Sequence, residues 1–341
     1  MTIPILFLLL TAPETAPARQ PQLAVRNDLV AMTFGAGTSI YFSRSTDQGN
    51  TFQPPIKVAE MGALALGRHR GPRIAILETT IVISAVAGDT KKQPGELLTW
   101  RSTDTGKTWM RSGTINDVPD AAREGLHAMT ARPDGSLFAV WLDLRAKGTR
   151  LVGSTSKDGG LTWSKNTLVY ASPSGTICQC CHPTLTTDEK GTVWVMWRNA
   201  VEGSRDLYTL SSTDGERFSE AKKLGAGTWK IDACPMDGGG LNVHNGTITS
   251  AWRRENQIYL STGDHPEKIV SEGKDVALTA TKQGSFLAWT QNGGIQVLKP
   301  GAVIAEKVSD DGGYSTLLAL PNGLVLLAWE SKTSVETKLL K

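Results

Sequence analysis

Thiols and imidazoles are few in this chain, four cysteines and five histidines among 341 residues, so any chemistry they carry rests on where they gather. There is no run of Lys or Arg, and the formal net charge is only +3. That pattern excludes a nucleic-acid groove and a polybasic membrane patch. Low-complexity blocks are absent, and so is any apolar stretch of about 20 residues, which excludes a membrane-spanning helix. The one sustained apolar run, Ile3 to Leu10 in "MTIPILFLLLTAPETAPA", precedes small residues and prolines. It reads as a secretory signal over residues 1–18, although no positive charge precedes its apolar core. The mature chain is expected to begin between Ala12 and Gln20 and to be secreted or periplasmic, where thiols either pair or bind metal. What the chain has in quantity is glycine, 35 residues, and short apolar segments bounded by turns. Residues 19–341 therefore read as one large all-β domain.

An internal repeat organises that domain. "STDQGNTF" from Ser45 returns as "STDTGKTW" from Ser102, "SKDGGLTW" from Ser156 and a shortened "STDGERF" from Ser212. The aspartates Asp47, Asp104, Asp158 and Asp214 are spaced by 57, 54 and 56 residues, a period that means a propeller or a solenoid. Taken alone, each box is a hairpin turn in which Asp caps the turn and Gly supplies positive φ. Strand-like segments such as "LFAVWLDLR" from Leu137 and "TVWVMWRN" from Thr192 precede the boxes and read as alternating strands. Each unit then forms one four-stranded blade of a β-propeller. Units begin near Pro21, Gly71, Leu126, His182, Cys234, Asp275 and Tyr314. That gives seven blades, with a six-bladed ring carrying an insertion as the alternative.

The register places reactive residues. His127 lies eight residues before the turn glycine Gly135, His182 nine before Gly191, and Tyr314 nine before Gly323. All three start an innermost strand, and the segments entering those strands gather at one mouth of the channel. His69 holds a similar place in the second unit, and Cys234 and the segment "CQCC" lie just ahead of inner strands. The same funnel collects Arg68, Arg70, Arg123, Glu124, Met236 and Asp237, while His244 and His265 read as turn or surface residues.

Three chemistries suit the cysteines. Four thiols in an exported chain can make two disulfides, although a bridge between adjacent Cys180 and Cys181 is strained. Clustered thiolates with imidazole and thioether suit copper or zinc. The candidate ligands are Cys178, Cys180, Cys181, His182 and Cys234, with His69, His127 and Met236 in reserve. Finally, Cys178, Cys181 and His182 spell C-x-x-C-H, the covalent haem attachment pattern.

The boxes resemble the Asp-box, or bacterial neuraminidase repeat, of sialidases and related propellers, over nearly the whole of residues 19–341. The resemblance implies the propeller fold, with structural aspartates on the blade periphery, and does not by itself imply activity. "GGYSTLLALPNGLVLLAWES" from Gly312 resembles the final blade of sialidases. On that resemblance Tyr314 is the nucleophile, activated by a carboxylate, and arginines bind the substrate carboxylate. Glu124 and Arg70 join Tyr314 as the catalytic candidates, with Glu255 a further carboxylate. "ARQPQL" from Ala18 resembles the sialidase Arg-Ile-Pro motif and places Arg19 in the arginine cluster. Sialidases have six blades where seven are counted here, and Tyr314 also reads as an aromatic that seals the ring. The sequence thus leads to a monomeric, exported propeller with a soft-metal Cys/His centre at the channel mouth, where a metal ion, small molecule or glycan binds. An exo-sialidase and a disulfide-stabilised interaction scaffold are the alternatives.

Overall fold

The computed structural model describes residues 8–13, 16–91 and 93–341; most of the apolar run from Ile3 lies outside them. Among the described residues there is no helix. Seven antiparallel sheets stand around one axis. Blade 1 runs from its inner strand Ala18–Arg26 through Leu29–Ala36 and Ser39–Ser45 to the outer strand Ile56–Glu60. The inner strands of blades 2 to 7 are Arg73–Ile76, His127–Ala131, Thr184–Thr187, Gly240–His244, Lys274–Thr281 and Gly313–Ala319. These starts match the units read from the sequence, and the six-bladed alternative is excluded. The short last unit is completed from the other end of the chain. Leu8–Leu10 pairs with Val335–Leu340 as the outer strand of blade 7, and Leu10 and Ala12 are buried there.

The second strand of each blade is the core of its sheet. Leu137–Asp143 and Val325–Glu330 are buried at every position, not at every other one as an alternating strand would be. The reason is that neighbouring blades cover both faces of each sheet, so both side-chain parities must be apolar. Trp141, Trp197, Trp289 and Trp329 lie near the ends of four such second strands and are fully buried.

The Asp boxes join third to fourth strands, on the face opposite the channel mouth. In each, a serine hydroxyl donates to the aspartate and accepts the glycine N–H; Ser102 Oγ lies 2.7 Å from Asp104 Oδ1 and 2.8 Å from Gly106 N. The aspartate also accepts the N–H and hydroxyl of Thr108, at 2.9 and 2.6 Å. These bonds hold the Asp104 carboxyl well below its usual range, led by the Thr108 hydroxyl. They hold Asp47, Asp158 and Asp214 low as well. Both carboxylate oxygens of Asp104 are engaged by the turn, so the boxes are structural.

Candidate functional site at the channel mouth

Three blades begin with the same backbone device. The inner-strand pairing skips between Arg19 and Gln22, between Lys274 and Ala277, and between Gly313 and Thr316. The extra residues include Gln20, Asp275 and Tyr314, all left-handed at φ 56°, 55° and 52°. Arg68, His69 and Met236 are left-handed too, at 52°, 66° and 58°. For a residue with a Cβ this backbone costs about 1–2 kcal/mol, and such positions concentrate where a structure aims side chains at a site. Gly273 and Gly312 make two of the bulges possible. A Cβ there would lie 2.3 Å from Trp289 and 2.5 Å from Trp329, respectively.

The channel opens into a cavity of about 360 Å³ lined by His69, Arg73, His182, Asp275 and Tyr314 at the mouth. His69 Nε2 lies 2.9 Å from Asp275 Oδ1, its ring stacks on His182 at 4.1 Å, and Tyr314 meets it edge-on at 5.0 Å. Beneath it Asp237 is fully buried; its Oδ2 accepts the Asp275 N–H at 2.8 Å. Burial and the neighbouring Asp275 push the Asp237 carboxyl up. His182 is held neutral, its proton affinity lowered first by burial and then by His69 and Arg73. Arg73 is itself buried, donates to the His69 carbonyl at 2.6 Å and is lowered by burial to about 10.

On its other side Tyr314 borders a second hollow of about 310 Å³, with Arg19, Lys274, Glu330 and Lys332 around it. Burial pushes the Tyr314 phenol up, Asp275 and Glu330 add to that, and Arg68 and Arg19 oppose it. Glu330 is pushed up by burial against the Gln20 N–H, which it accepts at 3.0 Å, and against Arg19 at 3.8 Å.

A thiol cluster lies beside this mouth. Cys178, Cys180 and Cys181 are buried, and Met236 packs on them. Cys178 Sγ is 3.5 Å from both Cys180 Sγ and Cys181 Sγ, and the last two are 3.9 Å apart. All four cysteines are free thiols, since a disulfide needs about 2.05 Å. Burial works against charge on Cys181. Hydrogen bonds from Cys178 and Cys180, the Arg198 guanidinium and the Asp237 N–H nevertheless hold its thiol well below the usual range. Cys180 is pushed up by the Cys178 and Cys181 thiols and then by burial. Arg198 is locked in place by donating to the carbonyls of Asp237, Arg205 and Arg253, at 3.0, 2.5 and 2.9 Å.

The mouth therefore gathers His69, His182, Asp237 and Tyr314, and the thiol cluster gathers Cys178, Cys180, Cys181 and Met236. Five candidates fall elsewhere. Cys234 is exposed and lies outside the thiol group. His127 starts its inner strand as expected, but its ring is buried between blades, with Nε2 3.0 Å from Ser84 Oγ. Arg70 and Glu124 pair with each other, at 3.9 Å between charged groups and 2.6 Å from Arg70 Nε to the Glu124 carbonyl, and neither lines the mouth cavity. Glu255 sits in an exposed hairpin. Sequence reasoning missed Glu330, Asp275 and Arg198. Glu330 and Arg198 each follow a buried strand-end tryptophan, Trp329 and Trp197, a repeated position that could have flagged both.

Comparison with known proteins agrees with this architecture. Residues 27–178 match the BNR repeat-like domain. In fold the chain is similar to the NanB sialidase of Streptococcus pneumoniae (10% identity, 100% of this chain and 71% of that one, TM-score 0.60). It is also similar to the intramolecular trans-sialidase of Ruminococcus gnavus (12%, 95% and 94%, TM-score 0.58). An ulvan lyase bound to a saccharide of GlcA and Rha3S is a third (11%, 98% and 96%, TM-score 0.62). No curated protein matches in sequence. At these identities the likeness is one of fold.

Proposed function

We propose that this sialidase-like, BNR-repeat propeller is an exported protein that holds a soft metal ion, Cu(I) in preference to Zn(II), on Cys178, Cys180 and Cys181. One observation carries the reading: three buried sulfurs at 3.5, 3.5 and 3.9 Å from one another. Three sulfurs bound at about 2.3 Å to one ion stand about 3.8 Å apart around a tetrahedral centre and about 4.0 Å around a trigonal one, so the triad needs only a few tenths of an ångström of adjustment. Three soft thiolates in a dry pocket, with a thioether alongside, favour Cu(I). Arg198 and the Asp237 N–H offset charge that ligation would concentrate on Cys181. Neither Cys234 nor His127 belongs to this ligand set. Haem is not part of the proposal, because His182 is wedged between the His69 ring and Gly238, where even a Cβ would lie 2.8 Å from Nδ1. Anaerobic titration with Cu(I) against a chromophoric chelator is expected to give one tight equivalent, lost in Cys181→Ser and kept in Cys234→Ser. Wild-type affinity in Cys181→Ser, or two disulfides mapped in protein as purified, would sink the reading.

A second reading rests on Tyr314, which stands between the carboxylates Asp275 and Glu330 and the cations Arg19 and Arg68. That arrangement suits an acidic glycan, and the similar folds include a sialidase, a trans-sialidase and a ulvan lyase. With its phenol pushed up, Tyr314 needs a neighbouring carboxylate to take its proton as it attacks. Turnover of a sialoside or uronate-containing glycan is expected to fall by about 100-fold or more in Tyr314→Phe. No turnover by the wild type across such a panel would remove this reading.

A further inference from the structure

We propose that His69, Asp237 and Asp275 form a second cation site, separate from the thiols, on the floor of the mouth cavity, and that it takes a borderline divalent first-row ion. One ligand atom from each of the three lies within 4.8 Å of the other two. His69 Nε2 and Asp275 Oδ1 are 2.9 Å apart, the separation of adjacent ligands about 2.1 Å from a common ion at a right angle, which is about 3.0 Å. The independent observation is Asp237 itself. Its side chain is 0 % exposed, and its Oδ1 has no hydrogen-bond partner among the described residues.

Two buried carboxylates this close need a positive charge, or one of them must neutralise. No Lys or Arg meets them directly: among the described residues, neither carboxylate forms an ion pair with either, and the only such contact is His69 with Asp275. Arg198 acts on Asp237 through its charge but gives its hydrogen bonds to main-chain carbonyls, and burial together with Asp275 still pushes the Asp237 carboxyl up. The backbone also aims the set, since His69 and Asp275 are both left-handed and the Asp275 N–H is tied to Asp237 Oδ2 at 2.8 Å. One imidazole and two carboxylates are a harder donor set than three thiolates, suited to Mn(II), Co(II) or Zn(II). Because His69 and Asp275 line the cavity, the ion has open positions facing it and is placed to bind an anionic oxygen of whatever enters.

Cobalt separates this site from the thiols by colour, since sulfur ligation gives intense charge-transfer absorption that nitrogen and oxygen ligation does not. Full-length protein whose thiols are first filled with one equivalent of Cu(I), or failing that removed in Cys178→Ser/Cys180→Ser/Cys181→Ser, is titrated with Co(II). One further equivalent is expected, with weak ligand-field bands and no sulfur charge transfer, and Mn(II) should compete for it. Asp237→Asn should weaken binding at least ten-fold, as should Asp275→Asn, with the thiol site still filling normally. Normal thiol loading also shows that each variant is folded; should one fail that check, His69→Gln replaces it under the same expectation. No second equivalent, charge transfer that survives removal of the thiols' availability, or unchanged affinity in the folded Asp237→Asn or Asp275→Asn variant would each overturn the proposal. Failure of the thiol site to bind Cu(I) would leave this result readable in the triple serine variant, with circular dichroism and a cooperative melt then showing that each variant is folded.

Discussion

Two buried imidazoles tie the stability of this chain to pH. His127 and His182 both have proton affinities well below the ordinary value of 6.5, first through burial; Arg73 adds to the effect at both, after His69 at His182. The unfolded chain therefore takes up protons that the fold refuses. Stability from these two groups is fully present above about pH 6.5 and is lost as pH falls below that value. Urea unfolding at pH 7.5 and at pH 5 is expected to show a clear drop in midpoint, and His127→Gln should reduce it while keeping a hydrogen-bonding group opposite Ser84. A midpoint equally pH-dependent in the variant would show that His127 does not contribute. Histidine placement also shows what a sequence conceals. The register put His127 at the start of an inner strand, where it is, yet which face its ring takes is a matter of one-residue parity, and the ring points to Ser84 rather than into the channel.

At the level of the strand and turn, the Asp boxes do the positioning that lets the mouth on the opposite face diverge. Asp158 accepts the Thr162 N–H and hydroxyl, at 2.9 and 2.5 Å, and the Leu161 N–H at 3.0 Å. Asp158→Ala leaves those donors to water and loosens the turn, so the thermal midpoint is expected to fall by a few degrees with Cu(I) stoichiometry unchanged. Lost metal with an unchanged midpoint would move the boxes from scaffold to site. The boxes were legible because each is a local pattern: four aspartates at a near-constant period, every partner within a few residues. The clustering of three thiols was legible for the same reason. The His69, Asp237 and Asp275 group was legible only in part: blade register gathers His69 and Asp237 in one funnel, but Asp275 was missed, and which atoms face one another is set only once the ring closes. Cys234 was misplaced by proximity in sequence: two residues on, Met236 turns left-handed and faces the thiols while Cys234 stays in solvent.

Over the whole molecule, closure depends on a strand from the far end of the chain. Leu8–Leu10 completes blade 7 against Val335–Leu340, with Leu10 at 4% and Ala12 at 8% exposure in a cluster that includes Met32 and Phe34. A chain beginning at Ala18 is expected to melt several degrees below one that keeps residues 8–17, by calorimetry of the two forms; equal midpoints would show that the outer strand adds nothing. The comparison also bears on the export proposal, because cleavage between Ala12 and Gln20 would yield the shorter form. A short apolar segment suits both a signal core and a buried strand, and composition alone does not separate them. The ring's centre meanwhile has a predictable fate under selection. Glycine takes the left-handed backbone of Arg68, Met236 and Tyr314 without the clash a Cβ brings, each exchange relieving ~1 kcal/mol locally. Glycine gives that relief back by freeing the unfolded chain and forfeits the packing of Met236 on the thiols, so selection for heat resistance alone would neither preserve nor readily erase the middle of the torus, and its chemistry persists only where it is used.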